Sequence, residues 1–523
     1  MKWADGTRAA FAALIFALLL ASAPASARPG GGQSYGGGSS HSSGSSHSSG
    51  SSSSHSSGGG SYSSSGGSYS GSNNSASIAM GPGMTLLVIV VVIGWVILTN
   101  AMKAETSSRS SSWTAGTPGI SLGRMRVGSA VPLRGQLEKL RDADPDFSVI
   151  LFEDFLYALF ALAHDRRGAG KIGELAPYLA PAVRARFATG PGLVEVKAVI
   201  VGAMEYVSVT MPERDAPRTR VVVEFQANYT EVLQGPSGAP SSQSFWATER
   251  WTLVRPEGAK SRPPERVRTF GCPSCGAPLE GLAGNVCARC GQPVDTGEFD
   301  WLVANVVPIA RERRGPQLIG TTEETGTNLP TRVAPGLDAA LAGLQTKDAE
   351  FRAEALRTRV RLIFDELQVG WTKRDWKRIR PFVTDHQFQT MLFWIVAYQR
   401  AHLQNVTADA TIGDLRLVRV TSDRWYDAVT LRLSASSLDY TVSEEGRVVG
   451  GSRTAPRRYT EYWTLIRGSG VRGAARAELK CPSCGAALQV TMAGACEFCD
   501  SKVVAGEFDW VLSRIEQDEA YSG

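Results

Sequence analysis

The chain has 523 residues, enough for roughly three domains of about 150 residues each. Its 55 Lys and Arg residues against 50 Asp and Glu residues give a formal net charge of +5, which is too mild for a dedicated nucleic-acid-binding protein. The hydrophobic fraction of 43% allows a sizeable core to form. All eight cysteines lie in Cys-x-x-Cys pairs, which argues against a disulfide scaffold in so long a chain.

Residues 1–27 have the pattern of a cleaved secretory signal. Basic Lys2 and Arg8 are followed by thirteen apolar residues at 9–21, and Ala25 and Ala27 form an Ala-x-Ala cleavage motif. The alternative is an uncleaved anchor. Thirteen residues of helix span only about 20 Å, however, which is short of the roughly 30 Å hydrocarbon core.

A Ser/Gly-rich tract at 28–83 follows the signal. It carries no charged residue after Arg28 and cannot bury a core, so we expect a disordered linker. A metal-binding role for His41, His47 and His55 is the alternative, but their irregular spacing favours a plain linker.

Residues 84–102 are predicted to form a transmembrane helix. These nineteen uncharged residues would form about 28 Å of helix, and the absence of a polar face disfavours a buried core helix. Positive charges follow in a juxtamembrane linker at 103–143, whereas none lies between Arg28 and the helix. By the positive-inside rule we expect a single-pass protein of the inner (plasma) membrane, with the Ser/Gly tract outside and the C-terminal domains in the cytoplasm.

The remainder of the chain carries an internal duplication. The cysteines Cys272, Cys275, Cys287 and Cys290 recur 209 residues later as Cys481, Cys484, Cys496 and Cys499. Other matches are residues 297–301 with 506–510, Trp251 with Trp463, Asp144 with Asp348, and Phe147 with Phe351. The offsets of 204 to 212 differ only slightly, as expected if the two copies differ in loop length.

Each copy is predicted to begin with helices and end with strands. The apolar residues Phe152, Phe155, Leu156, Leu159 and Phe160 have helical spacing, and Asp144 with Pro145 provides a start signal. The matching helix runs from about 348 to 371, and a short helix follows Pro177 or Pro381. Alternation predicts strands at 221–230 and 429–435, with further strands at 199–209, 246–254 and 299–306, although the last also suits a helix. The expected fold class is therefore α+β with antiparallel sheets.

The cysteines carry the most specific chemistry. Two Cys-x-x-Cys turns separated by eleven residues provide four thiolates, a tetrahedral set that suits zinc and leaves no position for water. We therefore expect two structural Zn²⁺ ions per chain, one in each ribbon. The alternatives are a redox pair or an unmetallated turn, and the fourfold pairing at one repeated spacing makes both less favourable.

These residues resemble a known family. The start at Asp144 and Phe147, the segment at 177–179, and the strands of Trp251 and Trp301 are similar to the domain of mitochondrial import inner-membrane translocase subunit 44. The resemblance covers residues 144–308, with a ribbon at 272–290, and residues 348–516, with a ribbon at 481–499, joined by a linker at 309–347. Prokaryotic membrane proteins of this family are similar in having a signal-like start, a Ser/Gly tract and one membrane helix before the domain.

The resemblance implies two tandem cone-shaped domains of the nuclear transport factor two-like type, with helices on a curved antiparallel sheet that ends in a Trp-bearing strand. Each ribbon then interrupts the hairpin between the strands of Trp251 and Trp301, or of Trp463 and Trp510. This insertion is a departure from the mitochondrial member.

The implied function is a membrane-anchored scaffold that binds membrane lipid and a membrane or translocation-related protein partner. The segment expected to meet anionic lipid contains Trp371, Lys373, Arg374, Trp376, Lys377, Arg378 and Arg380. The alternative is a solvated helix face over an ordinary aromatic core. We expect no specific nucleic acid as a partner, and a small-molecule ligand stays unidentified.

A rival interpretation is a catalytic or small-molecule cavity, because the cavity of that superfamily hosts catalysis in some members. The candidate polar residues are Asp154, Tyr157, His164, Asp375 and His386. No pair repeats between copies, and the chain carries no nucleotide-loop, hydrolase-elbow or metal-hydrolase motif, so we expect no enzyme. Ribosome or nucleic-acid binding through the arginines at 262–268 and 453–458 is a third interpretation, which the modest net charge weakens.

Overall fold

The computed structural model describes residues 133–188, 192–235, 239–267, 270–279, 282–316, 318, 326–518 and 521. The predicted signal, the Ser/Gly tract, the transmembrane helix and most of the juxtamembrane linker lie outside the described residues. Among the helices that are described, none is both long enough and apolar enough to span a membrane. We call residues 133–316 the first half and residues 326–521 the second half.

The first half runs from helices into strands, as predicted. Its elements are α1 (Leu133–Glu138), α2 (Val149–Gly168), α3 (Pro181–Phe187), β1 (Leu193–Thr210), β2 (Arg218–Gln234), β3 (Pro240–Pro256), α4 (Pro264–Val267), β4 (Leu282–Ala283), β5 (Val286–Cys287) and β6 (Leu302–Glu312). The ambiguous segment at 299–306 is a strand from Leu302 onward, and α1 lies in the region predicted as a linker.

The second half repeats this order. Its elements are α5 (Leu337–Lys347), α6 (Ala353–Lys373), α7 (Trp376–Ile379), α8 (Asp385–Arg400), β7 (Leu403–Ser422), β8 (Tyr426–Ser443), β9 (Val448–Gly451), β10 (Arg457–Gly468) and β11 (Val511–Gln517). Helix α5 occupies part of the predicted linker. Helix α8 has 16 residues, whereas its counterpart α3 has 7, so the prediction of a short helix is wrong for the second half.

Both halves form antiparallel sheets with the same strand order. The order is β1-β2-β3-β6 in the first half and β7-β8-β10-β11 in the second, where β9 also pairs with β8. A parallel bridge repeats as well, joining Leu179 to Val303 and Val383 to Leu512. Each cysteine set lies in the connection between the last two paired strands, β3 and β6 or β10 and β11.

The first strand of each sheet bends at the same place. Ala198 in β1 and Asp409 in β7 have φ of 53° and 50°, at register shifts between Lys197 and Ile200 and between Ala408 and Thr411. A bulge of this kind increases the local twist of a strand. The repeated bends therefore help to curve both sheets over their helices.

Helix α2 begins at Val149, so the predicted start at Asp144 is wrong. The Oγ of Ser148 accepts a hydrogen bond from the backbone N–H of Leu151, which caps the first turn. The helix is buried on two sides because the second half packs against it, with Ile150 and Leu151 contacting an apolar cluster from that half. The apolar residues on its other side enter the core of the first half.

Candidate metal centres and the junction between the halves

The eight cysteines form two clusters of four. In the first, Sγ atoms lie 3.8 Å apart between Cys272 and Cys290 and between Cys275 and Cys287. In the second, the matching distances from Cys481 to Cys499 and from Cys484 to Cys496 are 3.9 Å. A tetrahedron with Zn–S bonds of about 2.3 Å has edges of about 3.8 Å, whereas a disulfide needs about 2 Å. The sulfurs are therefore arranged as a tetrahedral metal site requires.

Each Cys-x-x-Cys turn is closed by backbone hydrogen bonds. The N–H of Gly276 donates to Cys272 O at 2.8 Å, and the N–H of Gly485 donates to Cys481 O at 2.9 Å. The residue at this position needs positive φ in all four turns, and three of the four are glycines: Gly276 at 75°, Gly291 at 69° and Gly485 at 76°. The fourth is Asp500, at 57°. These turns bring the paired sulfurs to one point.

The thiols differ in how readily they ionise. Burial raises the pKa of Cys272 to about 12, whereas the hydroxyl of Ser501 lowers the pKa of Cys499 to about 6. A metal ion binds four thiolates, so a cation must supply the free energy that ionises the less acidic thiols. Metal binding by such a cluster would therefore depend on pH.

The Asp and Phe of the repeated start motif hold the end of each sheet. The Oδ2 of Asp144 accepts from Arg255 at 2.6 Å, and Asp348 accepts from Arg467 at 2.8 Å, with all four side chains buried. The arginines lie over the rings of the Trp residues that precede β6 and β11, at 5.7 and 4.6 Å from the ring centres. Phe147 and Phe351 contact the same rings. The Asp and Phe of the motif therefore attach the segment before the long helix to the last two strands of each sheet. We call this set of contacts the clasp.

Two candidate polar residues from different copies meet at the junction between the halves. The Nδ1 of His386 lies 2.7 Å from Asp154 Oδ1, and its Nε2 lies 2.6 Å from the carbonyl oxygen of Ser513. Both ring nitrogens of His386 are therefore within hydrogen-bonding distance of an oxygen atom. The ring of Tyr157 lies 5.4 Å from that of His386. The group joins α2 of the first half to α8 and β11 of the second.

Glu153 strengthens this junction. It is 2% exposed, and its Oε1 lies 2.5 Å from Arg514 and 3.1 Å from Arg134. Burial alone would raise the pKa of Glu153, but the two guanidiniums outweigh burial and hold the pKa at about 2. The carboxylate is therefore charged at neutral pH and attracts the second half.

The other candidate polar residues lie apart from this group. His164 is 1% exposed, stacks on Tyr229, and lies 3.2 Å from Glu249, so it is part of the core of the first half. Asp375 caps α7 by accepting from the N–H of Lys377. His164 is therefore a buried residue and not a surface histidine, whereas Asp375 has the role of a helix cap.

The predicted lipid-contacting segment is only partly exposed. Trp371 and Arg380 are buried, the first donating to Asn405 Oδ1 at 2.7 Å and the second contacting Met492 O at 2.7 Å. Arg378 makes two contacts with Glu366, and Arg374 donates to Leu403 O. Trp376 is half-buried, and Lys373 and Lys377 are exposed.

Sequence reasoning missed Glu153, Arg514, Arg255 and Arg467. The internal duplication could have revealed Arg255 and Arg467, because they lie 212 residues apart, which is the same offset as between Trp251 and Trp463. No repeat marks Glu153 and Arg514, since they meet only where one copy packs against the other.

Comparison with known proteins identifies one domain. The model of the Tim44-like domain matches residues 337–475, so the second half contains a Tim44-like domain. No curated protein matches the chain. Among solved structures, an "Ntf2 like protein involved in plasmid conjugation" matches over 72% of this chain and 99% of that chain, at 8% identity and a TM-score of 0.19.

Proposed function

We propose that this chain is a membrane-anchored scaffold whose two halves, in the cytoplasm, bind a protein partner or membrane lipid in connection with protein translocation. The observation that carries the proposal is the Tim44-like domain at 337–475, whose family takes part in translocation-related protein and membrane interactions. The proposal assigns no catalytic role. It places the chain in the inner membrane through the predicted helix at 84–102.

The first half is proposed to be a second copy of the same domain. The repeated strand order, the repeated parallel bridge, and the buried pairs of Asp144 with Arg255 and of Asp348 with Arg467 support this assignment. The two copies are docked by Glu153, Asp154 and their partners, so they would present one continuous surface rather than two independent modules.

Partner binding is tested by in-cell crosslinking of the full-length chain followed by mass spectrometry. A chain lacking residues 84–102 is the control, because it keeps both halves but loses the predicted anchor. We expect membrane or translocation proteins to be crosslinked only when the helix is present. Recovery of no such protein, or equal recovery without the helix, contradicts the proposal.

The lipid-binding part of the proposal is restricted to exposed residues. Neutralising Arg378 or Arg380 would break contacts with Glu366 or Asp385, so loss of binding in those variants would be ambiguous. The double variant Lys373→Gln and Lys377→Gln changes two exposed side chains. Lys171→Gln with Lys197→Gln, which changes two exposed lysines of the first half, is the matched control.

We expect the first double variant, but not the control, to lose flotation with vesicles that contain anionic phosphatidylglycerol. Each basic residue near such a surface contributes about 1 kcal/mol, so two changes should weaken binding about 30-fold. Unchanged flotation refutes a lipid contact at this segment.

Both cysteine clusters are proposed to hold structural zinc. Metal analysis of the full-length protein should give two Zn²⁺ ions per chain, and Cys272→Ser combined with Cys275→Ser should leave one. Ser274→Ala, in the same turn, is the control and should retain both ions. A result well below two in the unaltered protein contradicts the assignment, and acidification should release the metal because the ligands must be thiolates.

A further inference from the structure

A cavity in the second half lies between helix α6 and the second cysteine cluster. Its volume is about 200 Å³. Its walls include the apolar residues Pro381, Leu488 and Val503 and the charged residues Arg359, Arg476 and Asp509. None of the residues that join the two halves lines it, so this cavity is separate from the junction.

In the first half an aromatic side chain fills the equivalent space. Phe270 lies two residues before Cys272, and its ring centre lies 5.7 Å from that of Phe155 and 5.2 Å from that of Tyr178. The space left beside Phe155 and Asp300 has a volume of only about 30 Å³. The cavity of the second half is therefore the place that this ring occupies in the first half.

Two substitutions remove the aromatic packing from the second half. Leu479 is the counterpart of Phe270 and is 50% exposed, and Arg359 is the counterpart of Phe155. The antiparallel bridge that follows Phe270 recurs after Leu479, so these two residues lie at equivalent backbone positions. A half-exposed leucine therefore lies where the first half packs a ring.

The connection before the cysteines is also shorter in the second half. Seventeen positions separate Arg255 from Cys272, whereas fourteen separate Arg467 from Cys481. Helix α4 lies in the longer connection and has no counterpart among the described elements of the second half. The shorter connection thus has fewer residues with which to cover the cavity.

The aspartate before the last strand binds an arginine in both halves, but the arginine comes from different elements. Asp300 binds Arg262 of the longer connection, whereas Asp509 lies 3.1 Å from Arg359 of helix α6. The Nε of Arg359 also donates to Trp510 O at 2.5 Å. These contacts hold the planar guanidinium of Arg359 in the wall of the cavity.

The size and chemistry of the cavity suit one aromatic ring. A cavity of about 150 Å³ can hold a benzene molecule. Guanidinium groups stack on aromatic rings, and in the first half Arg262 lies 5.8 Å from the ring centre of Tyr178. In the described part of the second half no aromatic residue lines the cavity, so the ring is left for another molecule to supply.

The charges at the cavity favour a carboxylate beside the ring. The guanidinium of Arg476 is exposed, donates to Pro482 O at 3.2 Å, and has no carboxylate partner among the described residues. Glu478 and Lys480 lie 3.5 Å apart and offset each other. Arg476 is therefore the cation that a ligand can pair with.

We propose that this cavity binds a phenylalanine side chain of a partner protein, with an acidic residue beside it that pairs with Arg476. The inference rests on the proposed function, because it names a contact for the protein partner of the scaffold. The two tests fail separately. Loss of the cavity contact leaves the crosslinked partners in place, whereas loss of crosslinking leaves peptide binding in place.

Fluorescence anisotropy tests the site, with full-length protein in lipid nanodiscs and a fluorescein-labelled Glu-Glu-Phe-Glu-Glu peptide as the probe. We expect saturable binding of one peptide per chain. Replacing the Phe of the peptide with Ala should weaken the Kd about 30-fold, because burial of the ring is lost. A Lys-Lys-Phe-Lys-Lys peptide should also bind more weakly, because it places like charges near Arg476.

Leu479→Phe restores the ring of the first half and should abolish peptide binding by filling the cavity. Leu329→Phe, which changes another exposed leucine of the second half, is the matched control and should leave the Kd unchanged. A melting curve followed by circular dichroism checks that both variants fold.

Arg476→Gln should weaken peptide binding about threefold, since an exposed ion pair contributes little. Arg472→Gln, an exposed change in the same connection, is its control and should leave the Kd unchanged.

The proposal is overturned if the Phe peptide shows no saturable binding, or if the Ala peptide binds equally well. Unchanged binding after Leu479→Phe also overturns it, because the ring then binds elsewhere. Equal weakening by Arg472→Gln and Arg476→Gln contradicts the predicted contact with Arg476.

Discussion

The residue after each Cys-x-x-Cys pair shows how a single backbone angle constrains the cysteine clusters. Glycine populates positive φ without steric penalty, whereas other residues are penalised by roughly 1–2 kcal/mol and Asp by less, because its short side chain bonds locally. Three turns use glycine and the fourth uses Asp500 at φ of 57°. The sequence alone predicts the angle at the glycines but not at Asp500.

We expect Asp500→Gly to retain zinc at least as tightly as the unaltered protein. Asp500→Val should weaken retention about tenfold, because a β-branched side chain clashes at positive φ. Competition with a chelator measures the difference. Glu497→Val, an exposed change in the same turn without positive φ, is the control, and an equal loss there would contradict the backbone explanation.

Glu205 is a single residue whose charge opposes folding. Burial and the cross-strand neighbour Glu224 raise the pKa of Glu205 to about 8 from 4.5. Glu224 itself is held by Arg250 at 2.7 Å, and the Oε1 of Glu205 has no partner in the described part of the chain. Between pH of about 4.5 and 8 the folded state keeps a proton that the unfolded state releases, so stability falls as pH rises.

Glu205→Gln should therefore raise Tm at pH 8, by about 2–4 °C for each kcal/mol gained, and should have little effect at pH 4. Thermal unfolding at both pH values measures the change. Glu195→Gln, an exposed change on the same strand, should alter Tm little at either pH. A gain that is equal at pH 4 and pH 8 would show that the charge is not responsible.

At the scale of elements, the aspartate that precedes the first long helix of each half binds a distant strand and does not cap the helix. Asp144 and Asp348 lie before α2 and α6, and each binds an arginine from β3 or β10. The sequence shows an Asp before an amphipathic helix, which is the ordinary pattern of a cap. The partner strand lies more than one hundred residues further on, so local pattern cannot reveal the contact.

Asp348→Asn should destabilise the second half by roughly 3 kcal/mol, because it leaves the buried charge of Arg467 uncompensated. Urea unfolding followed by tryptophan fluorescence measures the loss. Asp338→Asn, an exposed carboxylate of α5, provides the comparison and should change the free energy of unfolding by less than about 0.5 kcal/mol. A small effect of Asp348→Asn would mean that the clasp contributes little.

At the scale of the whole molecule, the two halves are one packed body rather than two independent modules. Helix α8 packs on β1, the ring of Phe393 contacts Trp246 edge-on at 5.0 Å, and Gln389 Oε1 accepts from the N–H of Val201 at 3.2 Å. The lengthening of α8 relative to α3 provides the residues for this contact. Gly202 of β1 permits the close approach, because a Cβ there would lie 2.5 Å from the ring of Phe393.

Gly202→Ala should separate the halves, since Phe393 is fully buried and has no space to move. We expect calorimetry to change from one unfolding transition to two, with faster proteolysis between residues 313 and 336. Gly173→Ala is the control because a Cβ there meets no atom within 4 Å. A single unchanged transition in Gly202→Ala would contradict tight docking.

The family resemblance implied the position of each cysteine set between the last two strands, whereas the sequence alone determined the two sets of four cysteines, the α+β class and the principal strands. These features depend on short-range spacing and alternation, and the duplication displays each of them twice. The match of residues 337–475 to the Tim44-like domain agrees with the resemblance at the second copy, residues 348–516, although the residues that carried the resemblance belong to the first copy.

Only the tertiary structure decided the contacts that join distant segments. The pairing of Asp154 with His386 and the contact of buried Glu153 with Arg514 both join side chains that are more than 100 residues apart in the chain. The physical reason is that packing between elements, and not periodicity within them, sets which polar groups are paired.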